Sequence, residues 1–322
     1  MSTFFHIGYP KAASTTLQLR LFTQHDQINY LGLTGTYNTG RATAKNREQQ
    51  FSAYAVDPSL RAFYKCLFMG DVTGTEQHVN YVRERYLSPR SVNVLSHELM
   101  TSPLFFNSDL RAKAVSLQQV LPTCKIIIVI REQRSMLVSQ YRDHPFDPSA
   151  ILEGRPMKFE DWVRAQLSVQ DSFMASLNYC DVVTTYVELF GMENVLVVPF
   201  ELLVLDPESV CKDMLEFMGL DGLPKHFAFT SNNSGLSSAN IKFRQIKRNI
   251  KSRFNAGKFL AAPLKKWINN LAYIGLSIID SKPAAIDFAG FDDIILNYYG
   301  ATNAELDSRY GLNLQKLGYV QE

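Results

Sequence analysis

The chain reads as an α/β protein, a parallel sheet wound on both sides by helices. Short apolar runs alternate along it with stretches of helical periodicity, the order expected of a doubly wound parallel sheet. The clearest run, residues 125–130 (KIIIVI), has no polar break, as expected of a strand covered on both faces. Two of the runs end at a glycine or an arginine and pass at once into a helical pattern. Open α/β sheets bind ligands at such strand ends.

The first run, TFFHIG, delivers the chain to Gly8, and a helix is expected to begin near Ala13. Lys11, Ser14, Thr15 and Thr16 crowd around that helix start. Unpaired N–H groups and a partial positive charge make the first turn of a helix fit for a phosphate or sulfonate. The same residues could also form an ordinary connection with a surface lysine. Residues 34–60 are polar and read as a long loop or lid over an acceptor site. Residues 92–96 (VNVLS) read as a strand leading to a helical run near 109–121. After the strand 125–130 comes Arg131, with Ser135 as a helix cap and Ser139 two turns into the helix. Arg131 stands where a second anion would bind, or else pairs with Glu132 or Asp143. Residues 145–158 read as loop, and 195–200 (VLVVPF) as a strand. Asp206-Pro207 then opens a helix through Val210, Met214, Phe217 and Met218 that ends at Gly219.

The 322 residues are expected to form one domain, with a core of about 1–230 and a helical region of about 231–322. A hydrophobic content of 46% with 20% charged residues is ordinary for a soluble protein. The formal charge of +2 gives no reason to invoke nucleic acid. The basic run 242–253 (KFRQIKRNIKSR) reads first as a solvated helix face, with an acidic-acceptor surface or part of a donor site as alternatives. The four cysteines form no C-x-x-C pair, which argues against a disulfide framework or zinc site; Cys124 and Cys211 are expected in the core. No secretory signal opens the sequence and no eighteen-residue apolar window crosses it, so a cytoplasmic protein without a spanning helix is expected. Residues 259–279 read as an amphipathic helix packed on the core.

The loop matches neither G-x-x-x-x-G-K-[ST] nor G-x-G-x-x-G. Y-P-K-A-A-S-T-T-L-Q resembles instead the first phosphosulfate loop of sulfotransferases. Arg131, Ser139 and Tyr141 give an R-x-x-x-x-x-x-x-S-x-Y pattern similar to the segment of that family that grips the donor's 3′-phosphate. The resemblance extends further: Phe200-Glu201-Leu202-Leu203 with Asp206-Pro207, Asn232-Asn233-Ser234, and a tail with Y-x-x-x-N-x-x-L and a closing L-G-Y, as in bacterial members. It implies a P-loop-like sulfotransferase fold with a helical C-terminal extension. The implied donor is 3′-phosphoadenosine 5′-phosphosulfate, the implied acceptor a hydroxyl compound such as a saccharide, and no metal is needed. It implies Lys11 at the bridging oxygen, the backbone and hydroxyls of Ala12, Ala13, Ser14, Thr15 and Thr16 around the 5′-phosphate, and Arg131 with Ser139 at the 3′-phosphate.

Ala13 departs from the family's usual loop glycine. Alanine lacks glycine's freedom at positive φ, so an ordinary helical or extended backbone is expected there. An acceptor hydroxyl also needs a base. Glu98 and His97, adjacent in VLSHELM, are both candidates; Glu98 could instead merely start a helix. His6, His25, His78, His144 and His226 have weaker cases, and His6 reads as a hydrogen-bonded core residue. Two other functions fit less well. A small-molecule kinase would need magnesium and an acidic ligand at a strand end. A non-catalytic nucleotide-binding protein would bind donor without turnover.

Overall fold

A computed structural model describes residues 2–32, 57–101, 109–143, 157–169, 172–229 and 291–320. His144, Asn232-Asn233-Ser234, the basic run 242–253, the segment 259–279 and nearly all of the expected loops at 34–60 and 145–158 lie outside the described residues.

Within the described residues the centre is a five-stranded sheet of order β2-β3-β1-β4-β5. Its strands are β1 (Thr3–Gly8), β2 (Ile28–Tyr30), β3 (Val92–Ser96), β4 (Lys125–Ile130) and β5 (Val195–Pro199). Every pairing is parallel, as the runs of buried β-branched residues predict. The alternation of side chains along β1 shows why both faces need cover. Phe5 meets Tyr64 at 5.9 Å, whereas Phe4 meets Phe217 at 5.8 Å and His6 meets Phe22 at 5.3 Å. Tyr64 belongs to α2 (Pro58–Met69), while Phe22 ends the turn that continues α1 (Ser14–Leu17). Helices thus cover opposite faces, the doubly wound arrangement.

The remaining helices are α3 (Val72–Arg85), α4 (Leu110–Val120), α5 (Gln133–Asp143), α6 (Phe159–Ser168), α7 (Tyr179–Phe190), α8 (Phe200–Leu205), α9 (Pro207–Phe217) and α10 (Asp292–Tyr310). Three sequence expectations need correction. The loop expected to reach residue 60 gives way to α2 at Pro58, because Asp57 accepts hydrogen bonds from the N–H groups of Ser59 and Leu60. The last strand stops at Pro199 and Phe200 already starts α8. Ser135 does not cap α5: Glu132 does, its carboxylate accepting from the N–H groups of Arg134 and Ser135, each at 2.9 Å. Ser135 lies inside the helix, which starts at Gln133, and its hydroxyl donates instead to the Glu132 carbonyl at 2.9 Å. Cys124 and Cys211 are buried as expected, and no disulfide joins the described cysteines.

Candidate active site

Because the strands are parallel, the segments that follow β1, β3, β4 and β5 leave from one edge of the sheet. Gly8 pairs with Val129, His6 with Ser96, and Ile130 with Pro199. This register sets Tyr9–Ala13, His97–Glu98, Arg131 and Phe200–Glu201 side by side.

The loop after β1 is fixed from both ends. The Ala12 N–H donates to the Tyr9 carbonyl at 3.1 Å, and the Leu17 N–H to the Ala13 carbonyl at 3.0 Å. Tyr9 is fully buried and donates its hydroxyl to the Ser176 carbonyl at 2.6 Å. A Cβ at Gly8 would stand 2.3 Å from Ser14 Oγ, so any larger residue there displaces the Ser14 hydroxyl. The expected conformation at Ala13 is wrong: its φ is 60° and ψ 10°, in the left-handed region. Lys11 is there too, with φ 72°. Such a backbone costs a non-glycine residue about 1–2 kcal/mol. It persists because the flanking bonds over-determine the turn, a pattern typical of ligand clamps. Ser14 is buried, and Thr15 and Thr16 are half-buried in the first turn of α1.

Glu98 and His97 follow β3 but face different surroundings. Glu98 opens a one-turn helix, Glu98–Met100. Burial pushes its carboxyl pKa up to about 7, against the opposing pull of Lys11 and a hydrogen bond with Ser14. Glu98 is therefore turned toward the lysine loop. His97 is buried and packs on Phe68, ring to ring at 4.1 Å. Its Nδ1 accepts from the Leu99 N–H at 3.2 Å, so the neutral ring carries its proton on Nε2. Burial, aided by Lys113, lowers its pKa to about 3. His6 is a buried core residue as expected, with Nδ1 2.8 Å from Ser96 Oγ.

Arg131 joins the two anion-binding candidates. Its Nη1 donates to the Lys11 carbonyl at 2.7 Å and its Nε to Ser135 Oγ at 3.0 Å. The guanidinium lies over the Phe200 ring at 4.6 Å. Of the expected alternatives, a pair with Glu132 is not formed, since Glu132 pairs with Arg134 at 2.8 Å, and the Asp143 side chain lies outside the described residues. Ser139 stands half-buried on α5, and its hydroxyl makes no hydrogen bond among the described residues. The structure thus brings Lys11, Ser14, Glu98 and Arg131 to one edge and turns His97 into the helical layer.

The chain matches the model of the sulfotransferase domain over residues 2–271. It belongs to the sulfotransferase family. As such it is an enzyme that draws a sulfonate group from 3′-phosphoadenosine 5′-phosphosulfate. No curated protein sequence matches it. Among solved structures it is similar to a sulfotransferase from Alicyclobacillus acidocaldarius, at 18% identity over 80% of this chain and 95% of that one, with a TM-score of 0.46. It is also similar to a mouse sulfotransferase complexed with PAP, at 18% identity over 81% and 68% of the two chains, with a TM-score of 0.38. A retinol dehydratase in complex with retinol and PAP aligns at 13% identity over 99% and 83%, with a TM-score of 0.38.

Two supports of this sulfotransferase edge, Thr101 and Lys113, went unremarked in the sequence, and a third, Glu201, was noted only within Phe200-Glu201-Leu202-Leu203. Thr101 donates its hydroxyl to the Gly8 carbonyl at 3.2 Å, tying the Glu98 turn to the end of β1. Lys113 is 1% exposed and donates to the Leu99 carbonyl at 2.9 Å. Glu201 accepts from the Glu132 N–H at 3.0 Å. Glu201 was legible by the rule that singled out Arg131, a charged residue just past a buried strand. Lys113 was not, because nothing local marks one lysine on a helix as buried. No helix among the described residues is long and apolar enough to cross a membrane.

Proposed function

We propose that this edge transfers a sulfonate from the donor to a hydroxyl group of a saccharide or another small hydroxyl compound. The observation that carries the proposal is the bond from Arg131 to the Lys11 carbonyl at 2.7 Å. It couples two cationic segments that are 120 residues apart in sequence, so that both can meet one nucleotide carrying two anionic groups. In this reading residues 1–322 form one transferase domain, with a core of about 1–230 and a helical region of about 231–322, acting in the cytoplasm without a metal.

Each residue then has a physical role. The left-handed backbone at Lys11 and Ala13 supports a 5′-phosphate site, since alternating left- and right-handed residues turn successive N–H groups to one side. Ala12, Ser14, Thr15 and Thr16 belong to the same cradle. Lys11 stabilises the charge that grows on the departing bridging oxygen. Arg131 has five N–H donors, of which two are engaged among the described residues; the others hold the 3′-phosphate, with Ser139 beside them. Glu98 takes the proton of the acceptor hydroxyl. A carboxyl pKa of about 7 leaves a useful fraction ionised at neutral pH and makes it a stronger base than an ordinary carboxylate. His97, with a pKa of about 3 and Nδ1 occupied, is the weaker candidate. The test is incubation with labelled donor and a panel of glycan, lipid and small-molecule hydroxyl acceptors, read by mass spectrometry. An added sulfonate on a saccharide supports the acceptor class; donor binding without transfer to any acceptor points to a non-catalytic protein.

A further inference from the structure

Residues 303–319 lie far along the chain from the donor edge, yet their hydrogen bonds converge on the Arg131 turn. The Tyr319 hydroxyl donates to Glu201 Oε2 at 2.6 Å, while Oε1 of the same carboxylate accepts from the Glu132 N–H at 3.0 Å. Glu132 caps α5 through the N–H of Ser135 at 2.9 Å, and Ser135 Oγ accepts from Arg131 Nε at 3.0 Å. A second path runs beside the first. Gln133 and Asn303 exchange amide hydrogen bonds of 2.9 and 3.0 Å, and Asn303 also donates to the Tyr319 carbonyl at 2.8 Å. Arg134 Nη2 donates to the Gly318 carbonyl at 3.0 Å. Asn303, Tyr319 and Gln133 are 0%, 1% and 2% exposed, so these bonds form away from competing water.

We infer that residues 303–319 form a latch that holds Glu201 off Arg131, with Tyr319 and Asn303 as positioning residues for the 3′-phosphate subsite. The inference rests on the reading that Arg131 grips that phosphate. Glu201 follows β5 beside Arg131, and its carboxylate is the fixed anion that acts most strongly on the guanidinium. Both of its oxygens are engaged, one by Tyr319 and one by the backbone. Without the Tyr319 hydroxyl one oxygen of a largely buried carboxylate loses its donor. Arg131 is a strong donor set beside it by the register of β4 and β5, and an ion pair formed there competes directly with a phosphate for the same N–H groups. The latch therefore acts on affinity for the nucleotide and not only on stability.

The experiment is calorimetric titration with adenosine 3′,5′-bisphosphate and with adenosine 5′-monophosphate, which lacks the 3′-phosphate. Tyr319→Phe should weaken the bisphosphate about 10-fold, equivalent to ~1.4 kcal/mol, and leave the monophosphate unchanged. Adding Glu201→Gln should restore most of the loss, because an amide cannot form the competing ion pair. Asn303→Ala should give a smaller loss, about 3-fold, with the same selectivity, and carries the test if Tyr319→Phe does not fold. Equal weakening of both nucleotides, or none, overturns the latch. If Arg131→Ala leaves the preference for bisphosphate over monophosphate intact, the reading of Arg131 itself fails, whatever Tyr319→Phe does.

Discussion

The lysine loop and the arginine turn face the same edge but are assembled by different means. In the loop, the backbone bonds that set the turn run from Ala12 to Tyr9 and from Leu17 to Ala13, all within residues 8–17, while Ser176, Thr101 and Arg131 only anchor it from outside. Arg131 is held by Ser135 four residues on and by partners from farther along the chain: Lys11, and Tyr179, whose hydroxyl donates to the Arg131 carbonyl at 2.6 Å. Behind these stand Glu201 and Tyr319. A locally built site stores its function in a strained backbone. A site built from distant partners stores it in a network, and each partner is a separate place to weaken it.

The largest expected effect tests the loop. Lys11→Ala should lower the rate of transfer about 100-fold or more while leaving the fold intact by circular dichroism; near-normal turnover would remove Lys11 from the chemistry. Glu98→Gln should come next, slowing single-turnover transfer by about 100-fold, whereas His97→Asn should do much less. Reversal of that order would move the base to His97.

The pH dependence sharpens the same point. With the Glu98 carboxyl at about 7 in the fold, activity should rise with pH through about 7, and Glu98→Gln should flatten this limb. Stability should run the other way. Between the ordinary carboxylate range and about 7 the folded chain holds a proton that the unfolded chain has released. Raising pH through that window therefore costs on the order of 3 kcal/mol, a loss that urea titrations of Glu98→Gln should not show.

Arg131→Ala should weaken adenosine 3′,5′-bisphosphate about 10- to 30-fold, the size expected for charge-assisted bonds to one phosphate. An unchanged affinity would break the contrast between the two regions. The smallest effect is at Ala13. Glycine there relieves the left-handed strain but gains freedom in the unfolded chain, so Ala13→Gly should stabilise by roughly 0.5–1 kcal/mol. If it destabilises, the left-handed turn carries no strain.

The fold was largely legible because buried parallel strands leave a strong signal: uninterrupted apolar runs such as residues 125–130, each followed by a helical period. The loop was legible in its residues but not in its backbone. Alanine at position 13 argues by local preference against a positive φ, and only the constraints from Tyr9, Gly8 and Leu17 override it. At Arg131 the cap was misread for a similar reason: Ser135 is a good capping residue in isolation, but Glu132 reaches the same N–H groups first.

What the sequence determined by itself, then, with β2, α2 and α3 left out, is the succession of β1, β3, β4 and β5 with a helix after each, the lysine loop and the arginine that follows β4. These follow from periodicity and from short-range chemistry. Which of two adjacent residues, His97 or Glu98, turns toward Lys11 was left to the tertiary structure, as was the convergence of Glu201, Asn303 and Tyr319 behind Arg131. Such choices depend on sheet register and on burial by segments more than a hundred residues away, and no local pattern encodes either.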